Sequence, residues 1–503
     1  MSKRLWLLWA AVALIGGSAA AQNTGNAALQ AAVVKMGVAN MKSIQYSGAG
    51  WQGMVGQNFA PDRDWPRVDL KDYTRTIDFE TMSSREEYTR SQGNNPQQGG
   101  GAGFPFLQDQ KVVNLVSGNY AWTLNAQGQA VPQPDQADVR RLEIYMTPHG
   151  FLKGAIAPGA NPMFVTRNEY GGRVTVVSYM VGKYRVNGTI NPRGLIQRTQ
   201  TWLPNPVVGD MYEEYVYTQY RDVNGIMMPR FHSHQDFDDG GTPNPSGGDH
   251  AFGLETYTAA RANVPNAALT VPANVRSATI EPVRVQTQML GQGLWLIGGG
   301  SHNSVLVEFK DHVVVIEAPL NEERSLAVIN EVNRLVPNKP IKYIVNTHHH
   351  WDHLGGIRTY VHEGATIVTH EGNKPYYQEV LRARPWILQP DRYSLFPPEE
   401  WSEGYIFETV REKFILGDDT RTVELYSIQG LPHVAGMLIA YFPKEKIVVQ
   451  ADLFNSAATA PNANARAFNN NLQRLKLDVQ QIVGIHGAPA TMAQFRQVMA
   501  SAQ

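Results

Sequence analysis

The chain has 503 residues, no cysteine, and 44 Lys+Arg against 45 Asp+Glu for a formal net charge of −1. Without cysteine there are no disulfides, thiolate zinc sites or Cys-held iron–sulfur clusters, and the near-neutral balance offers no broad basic surface, so no nucleic-acid partner is expected. The length leaves room for two or three domains with ample core.

Lys3 and Arg4 precede an apolar run over residues 5–15, and small residues then lead to Ala19-Ala20-Ala21-Gln22. The run is too short to span a bilayer, and the Ala-x-Ala pattern offers cleavage after Ala21. Residues 1–21 therefore read as a secretory signal peptide, with an uncleaved anchor as the alternative. A periplasmic or secreted protein with no stable membrane span is expected. No cysteine follows the signal, which excludes a lipoprotein.

Residues 22–275 read as a mainly antiparallel β domain. A helix is predicted over 27–41, with Leu29, Val33 and Met36 on one face. Strand-like runs follow, one carrying Val68, Leu70, Tyr73 and Ile77, others at 173–179, 195–202, 212–220 and 226–232. Asp222-Val223-Asn224-Gly225 is a strong hairpin turn between the last two. Residues 92–103 and 236–249 are rich in turn formers and read as flexible surface loops; the first matches no phosphate-binding pattern. Arg85, Glu86, Glu87 and Arg90 read as a solvated strand face. One helix followed by many strands, together with Thr201-Trp202-Leu203-Pro204-Asn205-Pro206, resembles the curved sheets of bacterial lipoprotein-carrier domains. That resemblance implies a sheet that binds an apolar ligand or packs on the following domain, and packing or substrate positioning is the expectation.

Residues 276–503 carry the chemistry. Runs at 304–309 and 313–316 read as adjacent strands, and Asn321 caps a predicted helix over 322–335. After a strand-like run at 341–346 comes Thr347-His348-His349-His350-Trp351-Asp352-His353, an H-x-H-x-D-H pattern with four potential metal ligands. Imidazole and carboxylate suit zinc, manganese or iron. Further His and Asp residues stand at the ends of later apolar runs: His433, Asp452 and His486. Singly each is ordinary; in series behind the motif they complete a ligand set.

In this order the residues resemble the metallo-β-lactamase superfamily over roughly 283–503. The resemblance implies a four-layer αββα sandwich, for an overall α+β chain. It assigns His348, His350 and His433 to one metal, Asp352, His353 and His486 to a second, and Asp452 as the bridging carboxylate. The implied cofactor is two divalent ions, zinc in the first place, with manganese or iron as alternatives. Such a pair holds a hydroxide whose parent water is lowered to a pKa of roughly 7. That implies hydrolysis of an ester, lactone, lactam or thioester bond of a small-molecule substrate, with Asp352 as the catalytic residue orienting or deprotonating the nucleophile. Two departures are visible. Glu317 stands where the family has an Asp that supports the site, and His433 lies in Pro432-His433-Val434 rather than Gly-His-Thr.

The absence of cysteine excludes lactamases with a Cys ligand and leaves the His/Asp-ligand type open. The large upstream domain weighs against a β-lactamase, normally a single compact domain. A binding or carrier protein with a structural hydrolase-like domain, and a mononuclear iron oxygenase of the same superfamily, are the competing readings. His349 is expected to point away from the ligands. His302 and His370 lie on segments near the site without a ligand role, and His312 and His362 read as surface residues. The insertion 376–412, with Trp386, Tyr393, Phe396, Trp401 and Tyr405, either walls the active site or fills a satellite core. Oligomeric state is not legible.

Overall fold

The computed structural model describes residues 19–501 except 102, 107, 170, 238–249, 257–258, 382–384 and 398–404. Most of the expected signal peptide, most of the turn-rich stretch 236–249, and Trp401 therefore lie outside the described residues. Among the described residues no helix is long and apolar enough to cross a membrane.

A fourteen-stranded antiparallel sheet dominates the N-terminal half, running from Ala130–Pro132 at one edge to Met163–Glu169 at the other. Helices Ala19–Lys35, Ala137–Met146 and Pro148–Ala155 cover part of one face. Leu29, Val33 and Met36 pack there with Phe151 and Leu152 against Val177, Val186 and Ile196. The first helix starts and stops earlier than its apolar spacing predicts. Gly37 at φ +72° ends it: its N–H donates to the Val34 carbonyl, and the Val38 N–H donates to the Val33 carbonyl at 2.9 Å. This is a Schellman-type stop, available because glycine takes the left-handed conformation without a Cβ penalty.

Strand Arg67–Asp78 buries Val68, Leu70, Tyr73 and Ile77, a set whose spacing breaks strict alternation. The break is a β-bulge: register shifts between Lys71 and Thr74, with Asp72 at φ +52°. Asp222–Gly225 forms the predicted hairpin turn, with Asn224 and Gly225 at positive φ. Its arms, however, form a separate two-stranded sheet, Arg221–Val223 on Ile226–Met228, while Gly209–Thr218 pairs with Phe231–Phe237. Glu86 corrects the solvated-face reading of its strand. It accepts a 2.5 Å hydrogen bond from Tyr73 and lies against the buried Arg75 guanidinium.

The C-terminal half contains two sheets face to face. One has seven strands from Gln286–Gly291 to Phe407–Val410, the other six from Lys413–Gly417 to Ala490–Thr491. Val305, Val307, Val314 and Val345 of the first interleave with Leu425, Leu438, Phe442 and Val449 of the second. Helices Glu322–Leu335 and Ile357–His362 cover one outer face, and Ala463–Leu475 and Met492–Ala500 the other. The result is an αββα sandwich. Asn321 caps its helix as expected, accepting from the Arg324 N–H at 3.0 Å.

The halves share a core. Trp65 and Val207 of the N-terminal half are buried in the same cluster as Trp351, Leu354 and Ile357, and the Trp65 ring meets Trp351 edge-on at 6.0 Å. Apolar surface removed from water on this scale ties the two sheets together at about 25 cal/mol per Å².

Candidate metal centre

Strand ends place the candidate ligands. After Ile341–Val345 the chain turns into the short helix Trp351–Leu354, braced by Asn346, whose Nδ2 donates to the His353 carbonyl at 2.8 Å. The Tyr377 hydroxyl lies within hydrogen-bond reach of both Asn346 Oδ1 and the His348 carbonyl. Asp452 follows Ile447–Gln450 in the left-handed conformation, φ +58°. The Gln450 carboxamide closes that turn, accepting from the Leu453 N–H at 2.9 Å and donating to the Phe454 carbonyl at 2.7 Å.

The structure gathers donor atoms into two adjoining groups, His348, His350, His433 and Asp452 in one, His302, Asp352, His353 and His486 in the other; within each they lie within 4.8 Å of one another. Asp452 joins them. Its Oδ2 is 3.3 Å from His348 Nε2, 3.2 Å from His433 Nε2 and 2.9 Å from His353 Nε2, while Oδ1 is 3.0 Å from His486 Nε2.

The hydrogen bonds of the rings say which nitrogen faces inward. A carbonyl only accepts, so the 3.0 Å contact from His350 Nε2 to the Asn58 carbonyl makes Nε2 the protonated nitrogen and leaves the Nδ1 lone pair free. By the same logic His353 donates from Nδ1 to Glu317 Oε2 at 2.7 Å, and His486 from Nδ1 to the Ser301 carbonyl at 3.1 Å, so both turn Nε2 inward. His348 Nε2, His350 Nδ1 and His433 Nε2 are buried without any hydrogen-bond partner. Buried polar atoms are rarely left so. Three inward lone pairs beside a carboxylate fit a divalent cation; the opposite nitrogen of His350 is held by the Asn58 carbonyl and that of His348 lies 3.0 Å from the Thr347 hydroxyl.

Electrostatics agree with that fit. Burial, reinforced by neighbouring imidazoles, pushes His348 and His350 well below the usual histidine range and keeps them neutral. Burial works against the Asp352 and Asp452 carboxylates, yet His353 and the other rings hold both below the usual range. Burial likewise opposes charge on His353, but Asp452, Asp352 and Glu317 overcome it and push the ring well above 6.5. Three carboxylates thus make a field that favours positive charge in this pocket.

All seven residues singled out in the sequence as ligands lie in these groups. Glu317, fully buried, holds both His353 and the Thr347 N–H, the latter at 2.7 Å, so the longer side chain still reaches the ligand turn. His302 is the addition: its Nε2 is 3.3 Å from Asp352 Oδ2 and its ring centroid 4.0 Å from that of His486. No spacing links it to the motif, because its strand, His302–Glu308, meets the ligand loops only across the folded sheet. Gln57 and Asn58 were also not legible as site residues. Gln57 Nε2 donates to Asp352 Oδ1 at 2.7 Å.

His349 belongs to neither group, and its Nε2 also donates to the Asn58 carbonyl. His370 caps the turn at Gly372. His312 and His362 are half-buried rather than surface residues; His312 stacks on Phe309, and His362 bonds the Phe396 carbonyl. Trp386 and Tyr393 both face Arg358, 4.4 and 4.5 Å from ring centroid to guanidinium, and Tyr405 stacks on Tyr393. These three form a satellite cluster. The 92–103 loop is not a free surface loop: the Gly99 N–H donates to the Pro432 carbonyl beside His433, and the Gly100 N–H to the Gln57 carbonyl.

Residues 297–482 match the family model of the metallo-beta-lactamase superfamily. Over these residues the C-terminal domain is metallo-β-lactamase-like. Its solved structural relatives include a metallo-beta-lactamase from Pontibacter korlensis, 17% identical with a TM-score of 0.35, covering 43% of this chain and 98% of that one. A mono-zinc metallo-beta-lactamase from Pseudomonas aeruginosa is 17% identical with a TM-score of 0.33, covering 45% and 97%. A metallo-beta-lactamase from Hirschia baltica is 14% identical with a TM-score of 0.32, covering 43% and 96%. No curated protein matches the chain. The family model ends short of the N-terminal sheet, and the carrier-like resemblance of that half gains no support.

Proposed function

We propose that this protein is an exported, binuclear metal-dependent hydrolase acting on an ester, lactone, lactam or thioester bond of a small molecule. The observation that carries the reading is Asp452, whose two oxygens face two adjoining groups of inward-turned imidazoles. His348, His350 and His433 would hold one ion, and Asp352, His353 and His486 the other, with Asp452 shared and His302 beside Asp352. The all-nitrogen-and-oxygen donor set suits zinc, and also manganese or iron. Two divalent ions there supply an activated water and a Lewis-acid contact for the substrate oxygen. Asp352 keeps 32% of its side chain exposed, against 11% for Asp452, so it is the carboxylate that meets solvent and substrate. It orients the attacking water and accepts its proton, held by Gln57 on one oxygen and His302 on the other. Export rests on the N-terminal pattern of Lys3, Arg4 and the apolar run before Ala21.

The test is an assay of the mature protein, loaded with zinc or manganese, against β-lactam, lactone, ester and thioester panels, with metal content measured in parallel. Turnover of one class that Asp352→Ala abolishes is the expected result. A protein that binds two ions per chain and turns over none of them would instead be a binding protein, and one that purifies with a single iron and oxidises thiols would be an oxygenase.

A further inference from the structure

The N-terminal half meets the metal centre most directly in the connection between strands Ser43–Gly53 and Arg67–Asp78. Over residues 56–59 three of the four backbone carbonyls are spent on the C-terminal domain. The Gly56 carbonyl accepts from the Trp351 N–H, the Asn58 carbonyl from His349 and His350, and the Phe59 carbonyl from the Ala435 N–H. Gly56 lies at φ +73° with the Trp351 ring so close that a Cβ would sit 2.4 Å from it. Asn58 is fully buried, and its Nδ2 donates to the Ala60 carbonyl at 2.8 Å, which fixes the turn that presents its own carbonyl. Gln57 turns its amide onto Asp352, and its buried Oε1 has no partner.

We propose that this segment is part of the metal centre's supporting shell: Asn58 orients His350 through its backbone carbonyl, and Gln57 is a positioning residue for Asp352. The inference rests on the reading that His350 and Asp352 hold ions. Its physical basis is that a carbonyl leaves a ring only one protonation pattern. A carboxamide donor on Oδ1 likewise leaves Oδ2 of Asp352 to face His302 and His353. The N-terminal half therefore contributes to metal affinity and to the nucleophile's geometry, and is not only a platform beside the hydrolase.

The experiment uses the full mature chain carrying Gln57→Met, which keeps side-chain length but has no donor, and Asn58→Ala, which releases the turn. Asp62→Ala, on an exposed position of the same loop, is the control. Zinc affinity is read by competition with a chromophoric chelator, and ligand geometry by the visible absorption of the cobalt-substituted protein. Gln57→Met is expected to weaken the second ion by roughly 10–100-fold while leaving the first, and Asn58→Ala to weaken the first by a similar factor. The cobalt spectrum should change in both, and Asp62→Ala should match the parent. His350→Ala and Asp352→Ala separate the two levels. If neither lowers metal content, the binuclear reading itself has failed. If both do, but Gln57→Met and Asn58→Ala keep parental affinities and spectra, or lose only thermal stability, the supporting role of this segment is overturned.

Discussion

The two halves of this chain expose their purpose differently. The C-terminal sandwich concentrates side chains of distinctive chemistry, His348 to His353, His433, Asp452 and His486, at the ends of buried strands. The N-terminal sheet has at least twice the strands of either C-terminal sheet, yet its half meets the same site, among the described residues, through one glutamine side chain and a few backbone groups. Donor chemistry announces itself in residue types, whereas support is delivered by atoms that every residue owns. A large region can therefore shape a site without a single residue that looks functional.

The sharpest way to test this division is at its centre. Asp452→Ala removes the carboxylate that faces both ligand groups. Metal analysis should show loss of at least one ion per chain, and any hydrolytic rate should fall by more than about 100-fold, since losing a supporting partner alone costs about 10–100-fold. Glu317→Gln probes the support on the C-terminal side. The amide cannot both orient His353 and keep its charge, so zinc affinity should drop by about 10–100-fold with little change in fold by circular dichroism. Similar losses from Glu317 and Gln57 variants would show that both halves support the site to the same degree, and a loss from Glu317→Gln alone would confine that support to the C-terminal half.

Stability probes the boundary. Trp65→Ala empties a buried position packed on Trp351 and should cost about 3–5 kcal/mol in urea unfolding. It should also separate one cooperative transition into two, because it loosens the shared core. A single unchanged transition would mean that the halves are held together elsewhere.

Acid should distinguish the halves in a second way. Burial lowers His149, in the N-terminal helix layer, to about 4 from an ordinary 6.5. The unfolded chain therefore takes up a proton below 6.5 that the folded one refuses until about 4. Stability falls as pH drops through that window, by about 3 kcal/mol at its lower end. With chelator present, so that ligand protonation does not intrude, His149→Gln should flatten this part of the pH profile. The smallest effect is expected at an exposed ion pair of the N-terminal half. Arg230 and Glu255 form an ion pair with both side chains more than half exposed, and Glu255→Gln should change unfolding by less than about 1 kcal/mol.

The residue pattern by itself determined which His and Asp residues gather as candidate ligands, the sandwich that carries them, the cap at Asn321, and the hairpin turn at Asn224-Gly225. In each case the information is local: a donor type at a strand end, an Asx side chain before a helix, or a residue pair that accepts positive φ. Only the tertiary structure decided that His302 joins the second group. It likewise decided that Tyr393 and Tyr405 gather on Arg358, and that the glycine-rich 92–103 loop is pinned beside His433. The same holds for Asn58, whose contribution is a carbonyl oxygen 292 positions away along the chain from the ring it orients. Such contacts depend on where two sheets are docked, and docking is set by summed apolar burial at Trp65, Val207 and Trp351. No single residue's identity encodes it.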